Sequence, residues 1–211
     1  MCVILICPPQ VRPSVETLRL CQERNPHGGG IAWRNGDSVE WFKSNEVAVI
    51  ERVARQLAGE IVIHFRRASI GGVHDELRHP FPVSHDPSLS RSGVAKKVLF
   101  QNGTWTGWQE ALNKAAREGH PLPKGRMNDT RAAAFLCSLS GPDFLNDCGV
   151  SRWVYFTTQQ TLRFGKWRKR EGIYFSNLKW LPASGNPVVA NPLSRRWTLS
   201  GIRNYLRRLV S

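Results

Sequence analysis

The chain has 211 residues (23.9 kDa), 41% of them hydrophobic and 22% charged, with 30 Lys and Arg against 16 Asp and Glu for a net charge of +14. That length makes one large domain or two small ones and buries a core without help from disulfides or metals. The composition excludes collagen-like, coiled-coil and disordered chains, and no apolar run approaches the ~20 residues of a membrane-spanning helix. The opening MCVILICPPQ has no basic region ahead of its apolar run and breaks at Pro8-Pro9, unlike a signal peptide, so a cytoplasmic location is expected. Five cysteines (Cys2, Cys7, Cys21, Cys137, Cys148) form no CxxC pair, which predicts reduced thiols. Residues 149–211 hold 12 Lys and Arg and a single acid, Glu171. Such asymmetry points to a polyanion or an acidic partner, or to a solvated basic face.

In chain order, Cys2–Cys7 is a short apolar, β-branched run and predicts a buried strand. Pro13-Ser14 opens a helix to about Arg24, with Val15, Leu18 and Cys21 on one face. Gly30–Arg34 and Val39–Lys43 flank Asn35-Gly36, a hairpin signal. Asn45–Ala58 carries apolar residues at helical spacing, and Glu60–Arg67 is a strand of period two. Residues 68–92 lack periodicity, and a loop of that length inside a domain is uncommon unless functional. Val94–Phe100 is strand-like and leads to Asn102-Gly103. Helices are expected at about Trp105–Glu118 and from Asn128-Asp129-Thr130 to about Leu139. Arg152–Thr157, Thr161–Trp167 and Gly172–Phe175 read as three short strands, and Thr198–Leu209 as a basic amphipathic helix. Alternating blocks of sheet and helix predict an α+β domain of sheets covered by helices.

Four segments carry the chemistry: Met1-Cys2, His64-Phe65-Arg66-Arg67-Ala68-Ser69, Gln101-Asn102-Gly103 and Asn128-Asp129-Thr130. Their order and spacing, with Asn25–Ile31 and His79-Pro80-Phe81-Pro82, resemble a class II glutamine amidotransferase domain of the N-terminal nucleophile (Ntn) hydrolases. The resemblance covers residues 2–178. It implies a four-layer αββα sandwich of two mainly antiparallel sheets, a domain at 1–180, and a basic C-terminal extension at 181–211.

It also implies roles. Removal of Met1 would leave Cys2 with a thiol and a free α-amine on one residue. Their reference pKa values, about 8.5 and 7.7–8.0, suit a nucleophile and its base near neutral pH. Asn102 and Gly103 would form an oxyanion hole. Arg66 would grip a substrate α-carboxylate, Asp129 its α-ammonium, and Ser69 would lie near the carboxylate. No cofactor is implied, and the spacing of His64, His74, His79 and His85 fits no common metal-ligand pattern.

The chain departs from the family pattern at several points. Gln101 stands where His usually precedes the Asn-Gly pair. Arg67, Ile70 and Leu77-Arg78 replace other residues.

The expected activity is that of a glutaminase, with glutamine as substrate and a separate synthetase or transferase as ammonia acceptor, since few residues follow the resembling region. Two alternatives stay open: an Ntn amidase acting on another amide, and a catalytically idle Ntn fold that binds nucleic acid. The basic residues of the second would be Lys166, Arg168, Lys169 and Arg170, Arg195-Arg196, and Arg203, Arg207 and Arg208. An acidic protein partner would suit the same residues, and no membrane contact is expected.

Overall fold

The computed structural model describes residues 2–182. In chain order the elements are β1 (Val3–Cys7), α1 (Val15–Arg24), β2 (Gly29–Asn35), β3 (Ser38–Ser44), α2 (Val47–Gln56), β4 (Ile61–Phe65), β5 (Phe81–Pro82), β6 (Ser92–Ala95), β7 (Lys97–Asn102), α3 (Trp108–Arg117), α4 (Asp129–Ser140), β8 (Arg152–Thr157), β9 (Thr161–Phe164), β10 (Arg168–Arg170) and β11 (Ile173–Phe175). The helix expected at Thr198–Leu209 lies outside the described residues, as do the basic residues from Arg195 onward. No helix among the described residues is long and apolar enough to cross a membrane.

Seven strands form one sheet in the order β10-β11-β1-β4-β2-β3-β6, and four form a second in the order β5-β7-β8-β9. Every pairing between successive neighbours is antiparallel.

The two-residue period of the strands sorts their side chains into layers. Val3, Leu5 and Cys7 of β1 pack with Leu18 and Cys21 of α1 and with Val49, Ile50 and Val53 of α2. Ile4 and Ile6, from the opposite face of the same strand, meet Val98 and Phe100 of β7 and Val154 and Phe156 of β8. The far face of the second sheet presents Leu99, Trp153 and Tyr155 to Ala133, Ala134 and Cys137 of α4. Helix, sheet, sheet, helix is therefore the layer order, as the resemblance implies.

Two helix starts follow from capping. Ser14 Oγ accepts the Thr17 N–H at 3.1 Å, and Asn128 Oδ1 accepts the Arg131 N–H at 2.8 Å. The second cap puts Asp129 in the first turn of α4, where the helix dipole favours a carboxylate.

Three expectations need correction. The β2–β3 hairpin closes on the pair Asn35–Ser38, so its central residues are Gly36 and Asp37, one position later than the Asn-Gly signal suggested. Gly36 takes a φ of +55°, which glycine adopts without strain. The strand expected at Val94–Phe100 is two strands. β6 ends at Ala95 on the edge of the first sheet, and β7 begins at Lys97 in the second, so the chain changes layer at Lys96. The three strands expected over 152–175 are four: β8 and β9 extend the second sheet, and β10 and β11 the first.

Candidate active site

Strand pairing brings the first two site residues together. In the β1–β4 ladder the last register pair toward this end is Val3–Phe65, so Cys2 and Arg66 are the next residues along adjacent strands. The second sheet delivers Asn102 and Gly103 at the end of β7, and α4 delivers Asp129 at its N-terminus. Cys2, Arg66, Ser69, Gly103, Asp129 and Gln101 line one pocket, about 250 Å³ of empty space counted with its open mouth.

Cys2 is 9% exposed. Its Sγ accepts the Arg67 N–H at 3.3 Å and lies 3.5 Å from the Arg67 carbonyl. Burial pushes the thiol pKa above its ordinary value, against the pull of the Arg67 N–H and the nearby Arg66 charge. Burial therefore favours the neutral thiol over the thiolate.

Arg66 is 2% exposed. Its guanidinium donates to the carbonyls of Ile70 (3.2 Å), Gly72 (2.9 Å) and His74 (3.5 Å), all in the loop after β4. These bonds orient the fork without neutralising it, and no acid among the described residues lies within ion-pairing distance of it. Burial lowers its pKa, and the proximity of Cys2 and Asp129 opposes that.

Asp129 is the counterpart of opposite sign. It is 6% exposed. Oδ2 accepts from the Trp105 N–H and from Gln101 Nε2, and Oδ1 from the Thr130 N–H, each at 3.0 Å. Burial raises its pKa, and these bonds pull it back. It too makes no ion pair among the described residues. A buried cation and a buried anion, unpaired, facing one pocket beside a thiol, suit a zwitterion, which would complete both at once.

The remaining expected residues take different places. Gly103 has a φ of +145°, and a Cβ there would come within 2.8 Å of Ser151 Cα, so the residue just before β8 leaves room only for glycine. Ser69 Oγ lies 3.1 Å from Thr104 Oγ1. Asn102 is fully buried behind the pocket, and its Nδ2 donates to Ser176 Oγ at 2.8 Å.

A polar network under the pocket was not foreseen from the sequence. The Thr130 hydroxyl donates to Gln101 Oε1 at 2.6 Å and lies 3.0 Å from His79 Nε2, while Gln101 Nε2 also reaches Ser151 Oγ at 3.2 Å. Gln101, which replaces the expected His, thus acts as the connector between Asp129, Thr130 and Ser151. His79 stacks on His64 with ring centroids 4.1 Å apart. Burial holds His64 down to about 3 and His79 well below its ordinary value, so both rings are neutral wedges between the sheets. The His-Pro-Phe and Asn-Asp-Thr stretches were the sequence signals that could have pointed to His79 and Thr130.

No protein-family model matches the sequence, and no curated protein matches it. Solved structures do. A glutamine phosphoribosylpyrophosphate amidotransferase from B. subtilis, complexed with ADP and GMP, is similar with a TM-score of 0.59 and 16% identity over 83% of this chain. A structure described as the allosteric regulatory enzyme of purine biosynthesis gives 0.60 and 17% over the same share. This chain spans about two fifths of each, 41%. At these identities the likeness establishes the fold alone, a four-layer sandwich of two antiparallel sheets between helices.

Proposed function

We propose that this chain is a glutaminase of the glutamine amidotransferase kind, with Cys2 as its nucleophile. The observation that carries the reading is the pair of unpaired opposite charges, Arg66 and Asp129, buried in one pocket with the Cys2 thiol. The guanidinium takes the α-carboxylate of glutamine by a planar fork, and the carboxylate takes its α-ammonium. The side-chain amide is then left for the sulfur.

Removal of Met1 frees the Cys2 amine. That amine accepts the thiol proton while sulfur bonds to the amide carbon, forming a tetrahedral oxyanion. The Gly103 N–H and, once its Nδ2 turns away from Ser176, the Asn102 carboxamide stabilise the oxyanion, and a donor of this type lowers the barrier by about 3–4 kcal/mol. Collapse breaks the carbon–nitrogen bond. The protonated amine supplies the proton, ammonia leaves, and a γ-glutamyl thioester remains on Cys2. Water attacks the thioester and glutamate departs. Ammonia passes to an acceptor, as the amidotransferase likeness suggests.

The test is release of glutamate by the purified protein from glutamine, compared with asparagine and simple acyl amides. The reading expects glutamine alone to be a good substrate and Cys2→Ala to lose at least about a thousandfold in kcat. Undiminished glutamate release by Cys2→Ala would refute it. Preference for amides lacking an α-amino acid head would favour a different Ntn amidase.

A further inference from the structure

Beyond the nucleophile and the charged pair, one dipeptide touches both halves of the site. Ser176 and Asn177 directly follow β11, in the sheet that carries Cys2. Ser176 is 2% exposed, and its backbone N–H donates to the Ile4 carbonyl at 3.0 Å. Its Oγ accepts the Ile4 N–H at 2.8 Å and the Asn102 Nδ2 hydrogen at 2.8 Å. One hydroxyl therefore joins β1, two residues past Cys2, to the end of β7 in the other sheet. Asn177 Nδ2 donates to the carbonyl of Cys2 itself at 2.8 Å.

Two groups in this arrangement are unsatisfied. Asn102 Oδ1 is buried with no hydrogen-bond partner. The Ser176 hydroxyl hydrogen has no acceptor among the described residues. Each answers the other. A half-turn of the Asn102 carboxamide exchanges its oxygen and nitrogen, so that the Ser176 O–H donates to Oδ1 while Oγ keeps the Ile4 bond. Nδ2 then occupies the orphaned position with its hydrogens free to meet an oxyanion. The turn satisfies Oδ1 and the Ser176 hydroxyl together, and it leaves a buried N–H donor whose cost of about 1–3 kcal/mol is relieved only when an oxyanion binds.

We infer that Ser176 and Asn177 are positioning residues: Ser176 sets which end of the Asn102 amide is offered to the reacting oxygen, and Asn177 holds the main chain of the nucleophile. The inference rests on the glutaminase reading for its effect on kcat, and its Asn177 half is measurable without glutamine.

The experiment is a cycle of Ser176→Ala, Asn102→Ala and the double variant, with Ser176→Thr as the variant that keeps the hydroxyl. Ser176→Ala is expected to lower kcat about tenfold to a hundredfold with KM within twofold, a smaller loss than that of Asn102→Ala. The double variant should be no slower than Asn102→Ala alone, because the hydroxyl acts through that amide. Ser176→Thr should recover most of the rate. Losses that multiply in the double variant, or a Ser176→Ala kcat within twofold of the parent, would overturn the Ser176 assignment.

Alkylation of Cys2 by iodoacetamide, followed by peptide mass, reads the Asn177 half. Asn177→Ala should change that rate at least threefold, and an unchanged rate overturns it. A parent protein that does not hydrolyse glutamine fails the proposed function, while the alkylation outcome still decides this half on its own.

Discussion

Replacing Gln101 by methionine keeps the length of the side chain and removes its amide. Asp129 then loses one of its three N–H donors, the Nε2 hydrogen at 3.0 Å, while remaining 6% exposed. A hydrogen bond to a buried charged group contributes about 1.5–3 kcal/mol, and tenfold in an equilibrium corresponds to about 1.4 kcal/mol. A loss of that size acts by raising the Asp129 pKa. If the carboxylate holds the glutamine ammonium, KM should therefore rise by up to about tenfold to a hundredfold at the acid pH where the variant's carboxyl is protonated and the parent's is not, with kcat less affected.

The pH dependence has a definite sign. Burial already raises the Asp129 pKa and the N–H donors oppose it. Losing a donor raises it further, and a protonated Asp129 cannot hold an ammonium group. The acid limb of kcat/KM should therefore move to higher pH in Gln101→Met. Gln101→His, which retains an N–H donor, should move it less. The assay is glutamate release as a function of glutamine concentration across pH 5–9. An unchanged KM with an unmoved acid limb would refute the assignment of Asp129 as the ammonium site.

Other predictions follow from the same geometry. Arg66→Lys loses the planar fork that spans the carbonyls of Ile70, Gly72 and His74, so KM for glutamine should rise about tenfold or more while kcat holds, as steady-state kinetics would show. Gly103→Ala places a methyl group against Ser151 at a φ of +145°, and urea unfolding should register a loss of about 1–3 kcal/mol or more together with loss of turnover. Lys43 is fully buried, with Nζ donating to the Glu76 carbonyl at 3.2 Å and lying 4.5 Å from the Phe81 ring centre. Burial, with Arg78 and Arg131 nearby, lowers its pKa from 10.5 to about 7. Between those values the unfolded chain holds a proton that the native chain lacks, so this group makes stability rise with pH across that window, and its penalty is fully present below about pH 7. Lys43→Met should flatten the slope and raise the melting temperature at pH 6–7; a variant with the parent's pH profile would contradict this.

The sequence carries local structure well and long-range partners poorly. β1 and β4 were visible because the side chains they bury against both layers are apolar and β-branched, and α1 because Ser14 caps it. The layer change at Lys96 was not visible, since Ser92–Ala95 and Lys97–Asn102 read as one extended run and nothing local says that its two ends join different sheets. Arg66, Ser69, Gly103 and Asp129 could be named because their motifs resemble those of a known family, and the structure brings them to one pocket because those motifs lie where elements end. Gln101, Ser151 and Ser176 were not assigned roles. Each acts through a partner at least 28 residues away in sequence, so only strand register and layer packing bring the groups together. The resemblance implies an oxyanion-hole role for Asn102, and its side chain is buried one step behind the pocket, with Ser176 between it and β1.

The central claim is that a terminal cysteine at position 2 attacks the glutamine side-chain amide. Treatment with 6-diazo-5-oxo-L-norleucine, a glutamine-shaped electrophile, followed by intact and peptide mass, tests it most directly. The account predicts a chain that begins at Cys2 and carries one adduct on that residue, blocked by excess glutamine. An active protein that retains Met1, or an adduct on any other residue, would contradict it.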